Sequence, residues 1–530
     1  MVDSLGIRQR FVFFFIPYSL FWVFTISSLV GLSGCASTKH ETLQTYRKHL
    51  KEKRWDKALE LARGSTFYKG EESKLLKWLE KGMLHHLKGE YFESQKYFDR
   101  AKKRSDQLFT VALSKKLLKS VGNDSLDHFY GEIYERSMLR FYSALNHYLL
   151  YQRGVRHIPA SGKTSASKKK LSKRERRRHL EAARAHVVEW NAKIGEWRDE
   201  RAGKTVFKDD LMAKVFGAFI HEQIGSRGEG QIAKLLYKGA QKTLFQNYNV
   251  YPSFNAHFKK FKKDFDKLPK FKKGRVEKNY LSSTKGYKFL KTYLEKKAKG
   301  KKANVAVLIH HGLIPGKRPK KHYYPLDFAV YLEKEVTGKM GIVDFTIQVL
   351  GLATVGGIPS IQFELPEIPS KPIKNRFYVK ISPQAGAAKT KSIPLINPLN
   401  DIAKEAMEEH AAIIRLRLGF RLAAKHLLAI ASSYRAYRAA LKKGIPSIGA
   451  KIMATGLYAA SVRAIALSEK ADLRSWLSLP QGLNMASFFL RPGTYKLELL
   501  KENEGKRESV SISKIEVEKG RAKLLNFQVL

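Results

Sequence analysis

Residues 78–101 read WLEKGMLHHLKGEYFESQKYFDRA, and the spacing inside this stretch decides the first half of the fold. Gly82, His85, Gly89, Ser94, Phe98 and Ala101 follow Trp78 at +4, +7, +11, +16, +20 and +23. Steps of three and four put side chains on one face of a helix, and Gly89 falls where a turn between two helices belongs. Small residues at Gly82, Ser94 and Ala101 let the two helices approach closely, while Trp78 and Phe98 fill the space between successive pairs.

This order resembles the tetratricopeptide (TPR) repeat, with Lys81 where Leu is usual and Asp106 where Pro is usual. A fainter copy lies at 53–58 (KRWDKA), in which Lys53 aligns with Gly89 and Ala58 and Trp55 hold register. The offset of 36 residues (89 minus 53) is close to the ~34 of a TPR. A third unit is split into helices at 132–150 and 180–194. The loop expected between them, 153–178, includes eight Lys or Arg in 168–178 opposed only by Glu175. A fourth pair is expected at 209–224 and 230–246, with Gly225, Gly228 and Gly230 in the turn. Residues 35–250 therefore read as a TPR-like repeat domain, the alternative being a generic helical bundle. Arrays of this kind present surfaces to peptides and partner proteins.

Beyond residue 250 the texture changes twice. Residues 251–302 are basic, and Phe254, Phe258, Phe261 and Phe265 lie at helical spacing among Lys259, Lys260, Lys262 and Lys263. Such a helix can lie on an anionic membrane or cap the array with its Phe stripe inward, and the second is expected. Short β-branched runs at 304–309, 342–350, 358–364 and 376–381, punctuated by Gly and Pro, predict a small β domain over 303–396. Residues 397–478 return to helix, with a turn at Gly444-Ile445-Pro446, and 479–530 alternate like an antiparallel β unit. The fold class expected is α+β, with TPR-like helical repeats first.

The first residues carry an export signal. Arg8 and Arg10 precede an apolar run over 11–32, and Leu32-Ser33-Gly34-Cys35 closes it. The ending resembles the lipobox of bacterial lipoproteins, which makes 1–34 a signal peptide and Cys35 the lipidated residue; the alternative is an uncleaved transmembrane helix. Cys35 is the only Cys in the chain, so it has no disulfide partner within it. Ala36 after it implies the periplasmic face of the outer membrane, with the inner membrane as alternative. The balance of 99 Lys+Arg against 48 Asp+Glu, net +51, calls for an anionic counterpart. Export argues against nucleic acid and leaves anionic lipid or envelope polymers.

Several segments together resemble a family of uncharacterised bacterial lipoproteins with TPR-like N-terminal halves. They are 130–136 (YGEIYER), 142–146 (YSALN), 307–315, 400–406, 471–476 (ADLRSW) with Leu479-Pro480, and 491–495 (RPGTY). The resemblance implies export and repeats and supplies no activity. Signals of chemistry are sparse. Gly162-Lys163-Thr164 lacks the earlier Gly of a phosphate-binding loop, since position 157 is His157. No His-Glu-x-x-His and no Gly-x-Ser-x-Gly occurs. The doubled His310-His311 before Gly312 is the one polar candidate, expected in a turn at the rim of the β domain and facing water. Asp472, Arg474 and Trp476 are expected to lock the helical part to the C-terminal β unit. No cofactor and no metal site is expected. These features predict a membrane-anchored scaffold holding a protein partner on its repeats, then a module for anionic lipid or polymer, then a hydrolase using His310 or His311.

Overall fold

The computed structural model describes residues 41–64, 68–115, 128–158, 167–200, 207–248, 250–254, 285–299, 302–325, 360–369, 373 and 375–530. Cys35, the leader expected at 1–34, Phe258, Phe261, Phe265 and the strand expected at 342–350 lie outside these residues. The fold is α+β, with helices in the first half and sheets in the second.

The helices come as hairpins, and each first helix stops at a residue with positive φ. Helix α1 (41–51) turns at Lys53 (φ 55) into α2 (Trp55–Gly64), and α3 (Lys74–Leu87) turns at Gly89 (φ 79) into α4 (Tyr91–Lys115). Helix α5 (Ile133–Arg153) stops at Gly154 (φ 63) before α6 (Lys173–Glu200), and α7 (Leu211–Ile224) stops at Gly225 (φ 89) before α8 (Arg227–Asn247). A left-handed residue there lets the chain reverse while backbone amides reach the last carbonyls. From α2 onward each helix packs on the next, and α9 (Lys285–Lys299) packs on α8.

The basic block at 168–178 is ordered, contrary to the loop expected. Strands β1 (Val155–Ile158) and β2 (Ser167–Lys170) form a ribbon between α5 and α6. Ser172 and Glu175 then cap α6 reciprocally: Ser172 N donates to Glu175 Oε2 (2.7 Å) and Glu175 N to Ser172 Oγ (3.1 Å). The pairing and the cap hold these cations in place despite their repulsion.

Two four-stranded sheets follow. The first has the order β12 (Lys523–Val529), β3 (Val305–His311), β9 (Gly482–Phe488), β8 (Leu395–Asn397). The second has the order β11 (Lys506–Val517), β10 (Gly493–Asn503), β6 (Arg376–Pro383), β7 (Lys389–Ile393). Residues after 479 therefore do not build a sheet of their own, as their alternation had implied. β12 joins β3 in parallel, β9 joins β3 antiparallel, and β10 joins β6. The reason is burial: every residue of β3 is buried, so it needs a neighbour on both edges and a layer on both faces. Ala306 and Leu308 face the helices, sharing one core with Leu483, Met485 and Leu524; Val305, Val307 and Ile309 face Phe377, Val379, Leu497 and Ile515 of the second sheet. The body is three layers: helical array, sheet, sheet.

One part leaves this body. Helix α10 (Leu399–Lys442) begins with Leu399, Ile402 and Met407 in the main core. From Leu418 onward its buried residues pack instead with α11 (Ser447–Ser468) and with the ribbon of β4 (Arg318–Pro325) and β5 (Ser360–Glu367). The turn between α10 and α11 falls at Gly444 (φ 77), at the expected Gly-Ile-Pro.

Candidate functional site

The polar residues that reasoning from sequence could not connect meet along the seam between the array and the first sheet. Segment 472–480 has no regular secondary structure and crosses the helices in an open conformation. Glu135 Oε1 accepts the amide of Trp476 (2.7 Å), and Glu80 Oε1 accepts the amide of Leu477 (2.7 Å). Glu80 Oε2 also accepts the Tyr46 hydroxyl (2.8 Å) and the Ser478 hydroxyl. Trp476, 1% exposed, packs its ring against both Phe98 (centroids 5.9 Å apart) and Tyr142 (6.0 Å), which also touch each other (6.2 Å). Arg474 forms a pair with Asp472 (2.8 Å) and also reaches the carbonyl of Glu72 (3.2 Å). The Asp472–Arg474–Trp476 group thus locks onto helices of the first three hairpins, where a lock between the helical part and the C-terminal β unit was expected.

Both glutamates are fully buried. Burial pushes the Glu80 carboxyl up to about 7, against the hydroxyls of Ser478 and Tyr46 and the amides of Leu477 and Ser478, which favour the anion. Glu135 is also pushed up to about 7 by burial, opposed chiefly by the charge of Lys317 and the Trp476 amide.

The small residues of the quoted stretch serve the same seam. A Cβ on Gly82 would lie 2.4 Å from Phe98 Cε1, so the α3/α4 crossing requires glycine. Ser94 Oγ donates to the Gly82 carbonyl (2.6 Å) and accepts from Asn146 Nδ2 (2.8 Å), whose Oδ1 meets His86 Nδ1 (2.7 Å). Phe98 and Ala101 are fully buried. Trp78 is only half-buried at the edge of the core, with Lys74 over its ring, so it does not fill the interior as its pattern position suggested. Gly89 occupies the turn beside Arg153.

His310 and His311 are not in an exposed turn. They end β3, paired on one edge with Leu483 and Gly482 and on the other with Gln528 and Val529, and the turn comes only at Gly312 (φ 60). Strand alternation sends them to opposite faces. His310, 2% exposed, takes the Tyr142 hydroxyl at Nδ1 (3.0 Å) and Asn526 Oδ1 at Nε2 (2.7 Å). Burial, and then His86 nearby, lower its pKa to about 3, so it is a neutral imidazole that bridges α5 to β12. His311 stands edge-on to Phe377 and meets Asn375 Nδ2 through Nε2 (3.0 Å). A buried imidazole with both nitrogens engaged offers no exposed face to a substrate.

A second buried network ties the later hairpins to the sheet. Asp210 caps α7, accepting from Met212 N (2.8 Å), and takes Ser137 Oγ (2.5 Å) and Asn397 Nδ2 (2.8 Å). Trp190 Nε1 donates to Ser137 Oγ (2.7 Å), and Tyr248 donates to Asn397 Oδ1 (2.7 Å). Elsewhere His147 lies 3.0 Å from His179, Nδ1 to Nδ1, and stacks on His186. His186 also faces Glu189 (3.5 Å). No group of three or more His, Cys, Asp or Glu among the described residues is placed to hold a metal. A shallow depression on the outer face of the second sheet is lined by Ser382, Gln384, Thr494, Lys496, Ile512 and Lys514, far in character from an acid–base site.

The seam's chemistry is recognition of main chain: acceptors aimed at two successive amides, and an aromatic anchor packed on two rings. One signal for it was present in the sequence, since Glu80 and Glu135 are carboxylates inside otherwise apolar helix faces. No protein-family model, curated protein or solved structure gives a significant match to this chain.

Proposed function

We propose that the chain is a membrane-anchored interaction scaffold of the TPR type, exported and facing the periplasm. The observation that carries this reading is the grip of the array on residues 472–480, by Glu135 and Glu80 on backbone amides and by Phe98 and Tyr142 against Trp476. Hairpin after hairpin with the same left-handed turn, and the 36-residue step from Lys53 to Gly89, support a repeat array. In this chain the gripping site is filled by its own segment, so the partner's place is elsewhere on the array, where α6 and α8 expose Val188, Ile232, Leu235 and Phe245. The leader ending at Cys35, and the likeness to lipoproteins with helical first halves, support attachment to a membrane. The sealed imidazoles His310 and His311 lend nothing to a hydrolytic reading.

The test is photo-crosslinking from Val188 and Leu235 in cells, with Lys103 on α4 as reference. Discrete protein adducts from the first two positions and none from the third are expected. A chain that yields no adduct from either position is not a scaffold through this face. The second reading, a clamp for anionic polymers, is favoured by the net charge of +51. Charge-driven capture weakens steeply between low and high salt, whereas apolar packing does not, so the adducts are expected to persist at high salt.

A further inference from the structure

The α10/α11 arm has a composition unlike the rest of the molecule. Helix α11 is long and apolar enough to cross a membrane, yet only 22% of its most apolar stretch is buried. Its inward side, Ala450, Ala454, Tyr458 and Val462, packs on α10 and β5. The outward side exposes Ile448 (75%), Ile452 (64%), Met453, Leu457 and Leu467. A helix of this hydropathy in a core would be covered on all sides; here half its surface is bare.

Charge supplies the second observation. From 410 to 468 the chain carries ten Lys or Arg and no Asp or Glu, and two of the ten, Arg421 and Lys425, pair with Glu469 just beyond. Arg435, Arg438, Lys442 and Lys443 are exposed along the end of α10 that meets the α10/α11 turn. The 44 residues of α10 span about 65 Å at 1.5 Å each, which carries that end well away from the core holding Leu399 and Met407.

We propose that this arm docks on an anionic phospholipid bilayer, the apolar face of α11 entering the acyl–headgroup boundary and the cations of the α10 end meeting lipid phosphates. A bare apolar stripe beside a run of exposed cations is the pairing that an anionic lipid surface complements. A second copy of the chain would bring the cations of its own α10 end, Arg435, Arg438, Lys442 and Lys443, against the same four, a pairing that repels. The docking is separate from any lipid on Cys35, because it uses a different part of the chain.

The probe is a polarity-sensitive fluorophore on Ile452→Cys, or on Ile448→Cys as a second position, in the full chain carrying Cys35→Ser. Lys103→Cys on α4 is the reference. Vesicles are phosphatidylglycerol or phosphatidylcholine, each with brominated lipid as quencher. The leader tethers the chain to either vesicle alike, so the readout is local. The label at 452 or 448 is expected to shift to the blue and be quenched in phosphatidylglycerol only, while the label at 103 stays in water. Lys442→Glu with Lys443→Glu is expected to weaken the response about 30-fold, at roughly fivefold per lost cation. Equal quenching in both lipids, or a water-exposed label in both, overturns the proposal. So does a label already sheltered without vesicles together with a dimer mass by light scattering, which would make a second copy the occupant.

Discussion

Glu80 accepts the backbone amide of Leu477 at 2.7 Å across 397 positions of chain, with both groups buried. A carboxylate in that position has no water to turn to, so its value depends on every donor around it.

Replacing Glu80 with Ala strands the Leu477 amide and the hydroxyls of Tyr46 and Ser478. At about 1–3 kcal/mol for each buried donor left unpaired, a loss of at least about 3 kcal/mol is expected in urea unfolding. Trp476 fluorescence should move to the red in the same variant, because its segment loses its hold.

Gly82→Leu drives a side chain into the Phe98 ring and is expected to cost about 1–3 kcal/mol. Phe98→Ala alone is expected to cost about 3–5 kcal/mol. Combined, the two should cost less than their sum, since the cavity accepts the added leucine; strict additivity in thermal melts would mean that they do not touch.

The two aligned turns respond oppositely to glycine chemistry. Lys53 holds φ 55 with a side chain, and Gly89 holds φ 79 without one. Lys53→Gly should leave stability equal or raise it by up to about 1 kcal/mol, and Gly89→Ala should lower it by about 1 kcal/mol. Calorimetry of both variants checks the sign.

Acid should weaken the protein through His310. Its folded pKa, about 3, lies below the ordinary 6.5, so the unfolded chain binds the proton more readily. The stability from neutral His310 is complete above pH 6.5 and is lost as pH falls toward the folded value, about 2 kcal/mol by pH 5 at 1.36 per pKa unit. Glu80 and Glu135, raised to about 7, act with the opposite sign, losing stability as pH rises from their ordinary value to 7. Comparing His310→Gln with the parent cancels them. The variant's loss between pH 7 and pH 5 should be smaller by about 2 kcal/mol, and an equal loss in both would refute a buried neutral imidazole.

Cys35→Ser should abolish incorporation of labelled palmitate and leave the leader uncleaved. Mass spectrometry that finds an unmodified Cys35 in mature protein would end the lipoprotein reading.

Local signals in the sequence were legible and distant ones were not. The α3/α4 hairpin follows from residues 78–101 because its small residues, turn and rings are neighbours in the chain. The Ser172/Glu175 cap was equally local, yet the eight cations around it suggested a loop, because charge repulsion was weighed without the cap and strand pairing that oppose it. His310 and His311 read as an exposed turn because a polar pair before glycine is usually part of one. Their burial depends on Tyr142, Asn526 and Asn375, none within 60 residues of them, and on β12 arriving in parallel. The seam was invisible for the same reason: Glu135 and Trp476 are 341 positions apart, and no periodicity connects them.

The placement of β3 has a cost in time. It lies between β9 and β12, both of which follow it by more than 150 residues. A nascent polypeptide has completed the helical array and β3 long before residue 482 exists, and the far edge waits for residue 523. Until then an apolar strand with open backbone groups is a template for wrong partners. A message cut short before residue 523 would therefore yield a product with every described helix and an unsealed central sheet, suited to degradation or aggregation and not to partial function.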